Sequence, residues 1–321
     1  MAWQRFACNP RVCGLVLLIA TMAGPAAAQA PAPAGAEGVT GPPADFVVET
    51  SDGVRITATY YPGSKGKDSV PVILLHDYQG SRQDMAPLAE VLQKNFGYAV
   101  VAPDLRGHGQ STTTRDPNKK LNASSGAFLD EFPLMATKDV EKMKSFLMAK
   151  NNAAELNIDK LSLVGAGGMG SVVAALFAAR DWSYPVLATG KQGQDVKTIA
   201  MISPDFVFKN LSMNQAFGEP VGGKALQKEI SIYVVVGTAD TRAASEANRV
   251  YKAFNLQRKK PADPKDATAF FDETLKTKLQ GVKLFTEPSL RVSERIGAFI
   301  EFRAGSQPYP WMERRNPLGG G

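Results

Sequence analysis

Four short stretches hold most of the chemistry available to this chain. Leu163-Val164-Gly165-Ala166-Gly167-Gly168-Met169-Gly170-Ser171 runs an apolar segment into a glycine cluster. Val72-Ile73-Leu74-Leu75-His76-Asp77 ends an apolar run on an imidazole and a carboxylate. Asp104-Leu105-Arg106-Gly107-His108-Gly109-Gln110-Ser111 carries a second imidazole, and Val234-Val235-Val236-Gly237-Thr238-Ala239-Asp240 ends on another carboxylate. His76 and His108 are the only histidines, and Cys8 and Cys13 the only cysteines. No ligand spacing such as H-E-x-x-H is present, so neither a metal nor a cofactor is expected.

The glycine cluster has two chemical readings. Gly165, Gly167 and Gly170 match G-x-G-x-x-G, in which backbone N–H groups at a helix N-terminus cradle a phosphate. That fingerprint belongs on the first strand-to-helix turn of a nucleotide-binding unit, with an acid ending the next strand. Here several apolar runs precede it, and the nearby acid, Asp181, falls in a loop-like stretch. The other reading is a tight strand-to-helix elbow, G-x-S-x-G, built to present a nucleophile. In that register the serine position is Gly167, which has no oxygen to attack a carbonyl. Ser171 is one helical turn further on, where a small residue packs helix against sheet.

The elements that must position these stretches alternate. Phe46–Glu49 and Val54–Tyr61 are strand-like runs joined by the turn signal Asp52-Gly53. Strands are predicted at 70–75, 98–102, 161–164, 198–202, 230–236 and 282–285, as short apolar runs buried on both faces. Helices are predicted over 85–96, 133–150, 171–180, 242–256 and 291–302. The expected fold class is α/β, a mostly parallel sheet with an N-terminal antiparallel hairpin and helices on both faces. Residues 258–280 are polar and lysine-rich, and are expected to form an excursion before a last strand at 282–285. Residues 304–321 form a Pro/Gly-rich tail that Trp311 can pin to the body.

In this order and spacing the four stretches closely resemble the α/β-hydrolase fold superfamily, especially its lipase, esterase and serine-aminopeptidase-like members. The resemblance covers residues 46–303, and Asp104-Leu105-Arg106-Gly107-His108-Gly109-Gln110-Ser111 is its most specific motif. It implies Gly167 at the nucleophile's position and Asp240 at the acid's. It implies an oxyanion hole from the backbone N–H groups of Tyr78 and Gly168, beside His76 and Asp77. The family's base is a histidine after the last strand, and Gly281 to Arg291 contains none. With nucleophile and base both missing, the triad chemistry is lost. The resemblance therefore implies a pseudoenzyme that binds a small acyl or carboxylate ligand or a protein partner. The alternative is an ester or peptide hydrolase with a rebuilt site, using Asp240 or Asp77 with help from His76 or His108. Residues 203–229 lie where the family often places a lid.

The front of the chain reads as an export signal. Arg5 and Arg11 precede the apolar run Gly14–Met22, and Ala26-Ala27-Ala28 fits a small-residue cleavage site. The expected organisation is a signal peptide at 1–28, a flexible linker at 29–44, a hydrolase-like domain at 45–303 and the tail at 304–321. The mature chain is then exported, without thiols and without stable membrane insertion. The formal net charge of +6 falls to +4 on cleavage, because Arg5 and Arg11 leave and no acid does. No long basic run interleaved with aromatics is present, so nucleic acid is not an expected partner. Intact-mass measurement of the protein recovered from the exported fraction is expected to show an N-terminus at Gln29.

Overall fold

The computed structural model describes residues 41–187, 190–259, 263 and 266–314. The expected signal peptide and residues 29–40 of the linker lie outside the described residues. β1 (Ala44–Glu49) and β2 (Arg55–Tyr61) pair antiparallel, with Ala44 opposite Tyr60 and Glu49 opposite Arg55. β2 pairs antiparallel with β4 (Ala99–Pro103), which lies parallel to β3 (Pro71–Leu75). β5 (Leu161–Ala166), β6 (Val196–Ile202), β9 (Ser231–Val235) and β10 (Ala269–Asp272) continue the parallel arrangement. The eight-stranded order is β1-β2-β4-β3-β5-β6-β9-β10.

Every residue of β3, β4 and β5 is buried, as their apolar runs require of strands covered on both faces. The alternation is visible in the core. Ile73, Leu75, Ala99 and Val101 join the apolar cluster on one face, and Val72, Leu74, Val100 and Ala102 join the other. The first face is covered by α3 (Glu141–Asn152), α4 (Gly167–Ser183) and α7 (Thr241–Asn255), through Met143, Leu147, Val172, Phe177, Val250 and Phe254. The second is covered by α1 (Ala86–Phe96), α8 (Val282–Thr286) and α9 (Val292–Ile300), through Leu88, Leu92, Leu284, Ile296 and Ile300. A short turn of helix, α2 (Phe132–Leu134), runs through a π-helical stretch at Met135–Val140 into α3.

Two expectations are corrected. The last strand is Ala269–Asp272, inside the lysine-rich stretch, and Val282–Thr286 is helix. Four apolar-biased residues fit either periodicity. β10 pairs parallel with β9, Phe271 opposite Val234, and takes the edge position that 282–285 was expected to fill. The segment 203–229 contains the hairpin β7 (Val207–Phe208) and β8 (Leu211–Ser212), then α5 (Met213–Gly218) and α6 (Gly222–Lys228). Met213, Ala216 and Leu226 bury themselves in the core on the α4 side.

The tail is strapped down through residue 314. Trp311 Nε1 donates to Leu156 O (3.1 Å), and Asn157 Nδ2 donates to Tyr309 O (2.9 Å). Arg314, 4% exposed, pairs with Asp195 at 2.7 Å and Asp159 at 3.0 Å. Lys144 and Lys191 complete this cluster, Lys144 bridging to Asp195 at 2.8 Å and Lys191 to Asp159 at 2.6 Å. Burial opposes the charge of Asp195, but Lys144, Arg314 and Lys191 overcome it and hold the carboxyl well below the usual range. Removing one partner strands buried charge, so Arg314→Met is expected to cost roughly 3–5 kcal/mol in urea unfolding. A loss under about 1 kcal/mol, the size of an exposed pair, refutes the anchoring role.

Candidate active site

β5 ends in the middle of the sheet, and its exit turn sits against β3. A Cβ added at Gly170 would lie 2.5 Å from Leu75 O, and one at Gly165 would lie 2.5 Å from Gly170 O. Strand, helix and neighbouring strand thus approach too closely for any side chain there. Gly167 has φ +64°, the left-handed conformation that glycine adopts without strain and that an elbow requires. The strand-to-helix turn thus has the backbone shape of such an elbow. Ser171 is fully buried and its Oγ donates to Gly165 O (3.2 Å), so it fastens helix to strand.

The space beside Gly167 is filled. A Cβ at Gly167 would overlap the carboxylate of Asp77. This carboxylate accepts a hydrogen bond from Met169 N at 3.2 Å, one of the N–H groups that the first turn of α4 leaves free. Burial raises the Asp77 carboxyl above its ordinary pKa, the backbone amides of Tyr78 and Met169 oppose the rise, and the Asp205 charge adds to it. The expected oxyanion donors are the N–H groups of Tyr78 and Gly168; the Asp77 carboxylate itself is bonded on the helix side by Met169 N, one residue further on. Gly168 faces Asp205, whose Oδ2 lies 3.0 Å from where a Cβ at Gly168 would sit. At the glycine cluster stands a carboxylate from the β3 loop.

The two histidines hold that loop in place. Leu105 N donates to His76 Nε2 (3.0 Å), which leaves the proton on Nδ1 to bond Asp77 O at 2.7 Å. Gly80 N donates to the same carbonyl (3.0 Å), closing a tight turn. His108 packs edge-on against His76 at 5.0 Å between ring centroids, and its Nδ1 bonds Arg106 O at 3.1 Å. The second histidine loop is anchored by charge. Arg106, fully buried, pairs with Asp139, Asp52 and Glu131, each at 2.8 Å. His76 is fully buried and lies outside the cavity, and Tyr78 packs on His108 and Phe208.

The cavity at this end of the sheet has a volume of about 410 Å³. Asp77, Gly167, Gly168, Ser203, Asp205 and Asp240 line it, with Gln280 and Gly281, and Arg242 and Lys283 stand exposed among its lining. Asp240 caps α7, accepting from Ala243 N at 3.1 Å. Gln280 follows β10 and lines the same cavity as Gly167 and Asp240. Its Nε2 donates to Gly237 O (2.8 Å), and its Oε1 accepts from Ser203 Oγ (2.7 Å). Sequence reading missed Gln280, Ser203 and Asp205. A correctly placed last strand would have pointed to the segment that holds the first. Among the described residues no group of three or more His, Cys, Asp or Glu side chains is placed to hold a metal ion. No helix among them is long and apolar enough to cross a membrane.

Residues 70–221 match the family model of the alpha/beta hydrolase fold. The chain is similar to the solved esterase Pf2001 of Pyrococcus furiosus, at 18% identity and a TM-score of 0.53, covering 84% of this chain and 98% of that one. It is also similar to a hyperthermophilic esterase of Pyrobaculum calidifontis, at 14% identity and a TM-score of 0.54, covering 84% and 86%. No curated protein matches at a significant level.

The burial of both imidazoles has a measurable consequence. Burial drops the His76 pKa to about 4, and burial also lowers that of His108. Between about 6.5 and the folded value the unfolded state binds the extra proton. The His76 contribution is therefore complete above about pH 6.5 and is lost as pH falls toward 4, by about 3 kcal/mol. In an NMR titration of the imidazole protons, the His76 midpoint is expected near 4 and the His108 midpoint below the usual value.

Proposed function

We propose that this chain, a member of the α/β-hydrolase fold superfamily, is exported and works by binding a small molecule, without hydrolysing an ester or peptide. The observation that carries this reading is the elbow. Gly167 keeps the conformation of a nucleophile's position while Asp77 fills the nucleophile's space. The segment after the last strand brings Gln280 to the cavity, an amide engaged with Gly237 and Ser203 that cannot take up a proton at neutral pH. Asp240 then caps a helix and has no imidazole to orient.

The occupied elbow also changes the ligand class. An acyl or carboxylate group would have to compete with Asp77 for Met169 N–H. The cavity offers instead three carboxylates, Asp77, Asp205 and Asp240, all acceptors when ionised, with Arg242 and Lys283 exposed in the same lining. A small ligand rich in hydroxyl or amine donors suits these walls better.

A second reading has one observation in its favour. Asp77 places a carboxylate where the family places its nucleophile, so a rebuilt hydrolase would use Asp77 for attack. This site lacks a histidine to activate water for the second half of such a reaction.

Purified mature protein is expected to turn over short activated esters no faster than background, and a fluorophosphonate probe is expected to label no serine. Gly167→Ser is expected to stay silent as well, since the serine meets Asp77 and finds no base. Ester turnover by the wild type that disappears in Asp77→Asn would establish the second reading in place of the first.

A further inference from the structure

We propose that Asp77 is an intramolecular plug. Its carboxylate takes the space beside Gly167 that a side chain there would occupy and holds Met169 N–H, and so keeps a formed notch closed to free carboxylates. This goes beyond the binding reading. It concerns what fills the notch, and it stands whether or not the protein turns anything over.

Three observations carry it. The first is steric, since the carboxylate lies in the volume that any side chain on Gly167 would need. The second is the donor. Met169 N–H belongs to the free first turn of α4 and spends its hydrogen bond on Asp77. This donor is backbone, so cutting back the Asp77 side chain leaves it in place and unpaired. The third is access. Asp77, Gly167 and Gly168 all line the 410 Å³ cavity, so a small carboxylate can reach the notch from solvent once the plug is gone.

The frame of the notch does not depend on the plug. Position 77 is fixed through its carbonyl, which accepts from His76 Nδ1 at 2.7 Å and from Gly80 N at 3.0 Å. Gly167 owes its left-handed backbone to the strand-to-helix turn, which Gly165 and Gly170 allow by close packing. An Asp77→Ala chain therefore keeps both walls and gains a vacancy of carboxylate size.

The test is chemical replacement of the plug. Thermal unfolding of the wild type and of Asp77→Ala is followed in sodium acetate and in sodium chloride at equal ionic strength. The variant is expected to gain about 2 °C in about 100 mM acetate over chloride, the size a dissociation constant near 10 mM gives. The wild type is expected to melt at the same temperature in both salts. An equal acetate shift in the wild type overturns the proposal, because its notch is then already open. A folded variant with no acetate shift overturns it too, because the notch then has no carboxylate preference.

A second comparison does not depend on the folding of Asp77→Ala. Gly167→Ala is made in the wild type and in Asp77→Ser, whose side chain is shorter. The added methyl meets the plug only in the wild type, whereas the strain of a positive φ is common to both and cancels. The loss in melting temperature is expected to be clearly larger with Asp77 present. Equal losses in the two backgrounds overturn the proposal.

Discussion

The closeness of β5, α4 and β3 is the constraint on which the rest of this structure depends. A central strand must pass directly into a helix that lies against its neighbour, and only glycine fits at 165 and 170. This contact fixes the direction of α4, and with it the free N–H groups of its first turn. Parallel pairing aligns the carboxyl ends of β3, β5, β6 and β9, so the loops after them converge on one cavity. The close contact at 165 and 170 holds whatever stands at position 167. The architecture can therefore outlive the chemistry for which such an elbow is suited.

Charge does the corresponding work beside the site. The loop after β4 buries a complete guanidinium at Arg106, with carboxylates from three separate segments around it. A buried charge is costly unless paired and hydrogen-bonded, so the loop has very few conformations open to it. His76 then ties the β3 loop to it through Leu105, and its burial keeps the ring neutral. His76 thus binds the two loops together through both ring nitrogens, and His108 packs against it.

Much of this was legible in the residues. Val70–Leu75 and Leu161–Val164 announce fully buried strands because their apolar runs leave no polar face. Gly167 stands in the sequence as the residue that cannot be a nucleophile. Trp311 marks the tail as attached. β10 was hidden because four residues flanked by lysines carry little periodicity, and Val282–Phe285 looked equally strand-like. Gln280 gave no signal, since a glutamine has no signature until its strand is placed. The Asp77–Met169 contact spans 92 positions, and no local pattern reports a side chain crossing from one loop into another's vacancy.

The strapped tail has a consequence for when the molecule can become native. Asp159 and Asp195 are buried, yet one of their counter-charges is Arg314, 155 and 119 positions further along the chain. Until that arginine arrives, these carboxylates have only the lysines around them. A chain made N-terminus first therefore completes this cluster only after residue 314 is free, and the interior beside Asp159 and Asp195 is among the last parts to reach its final packing.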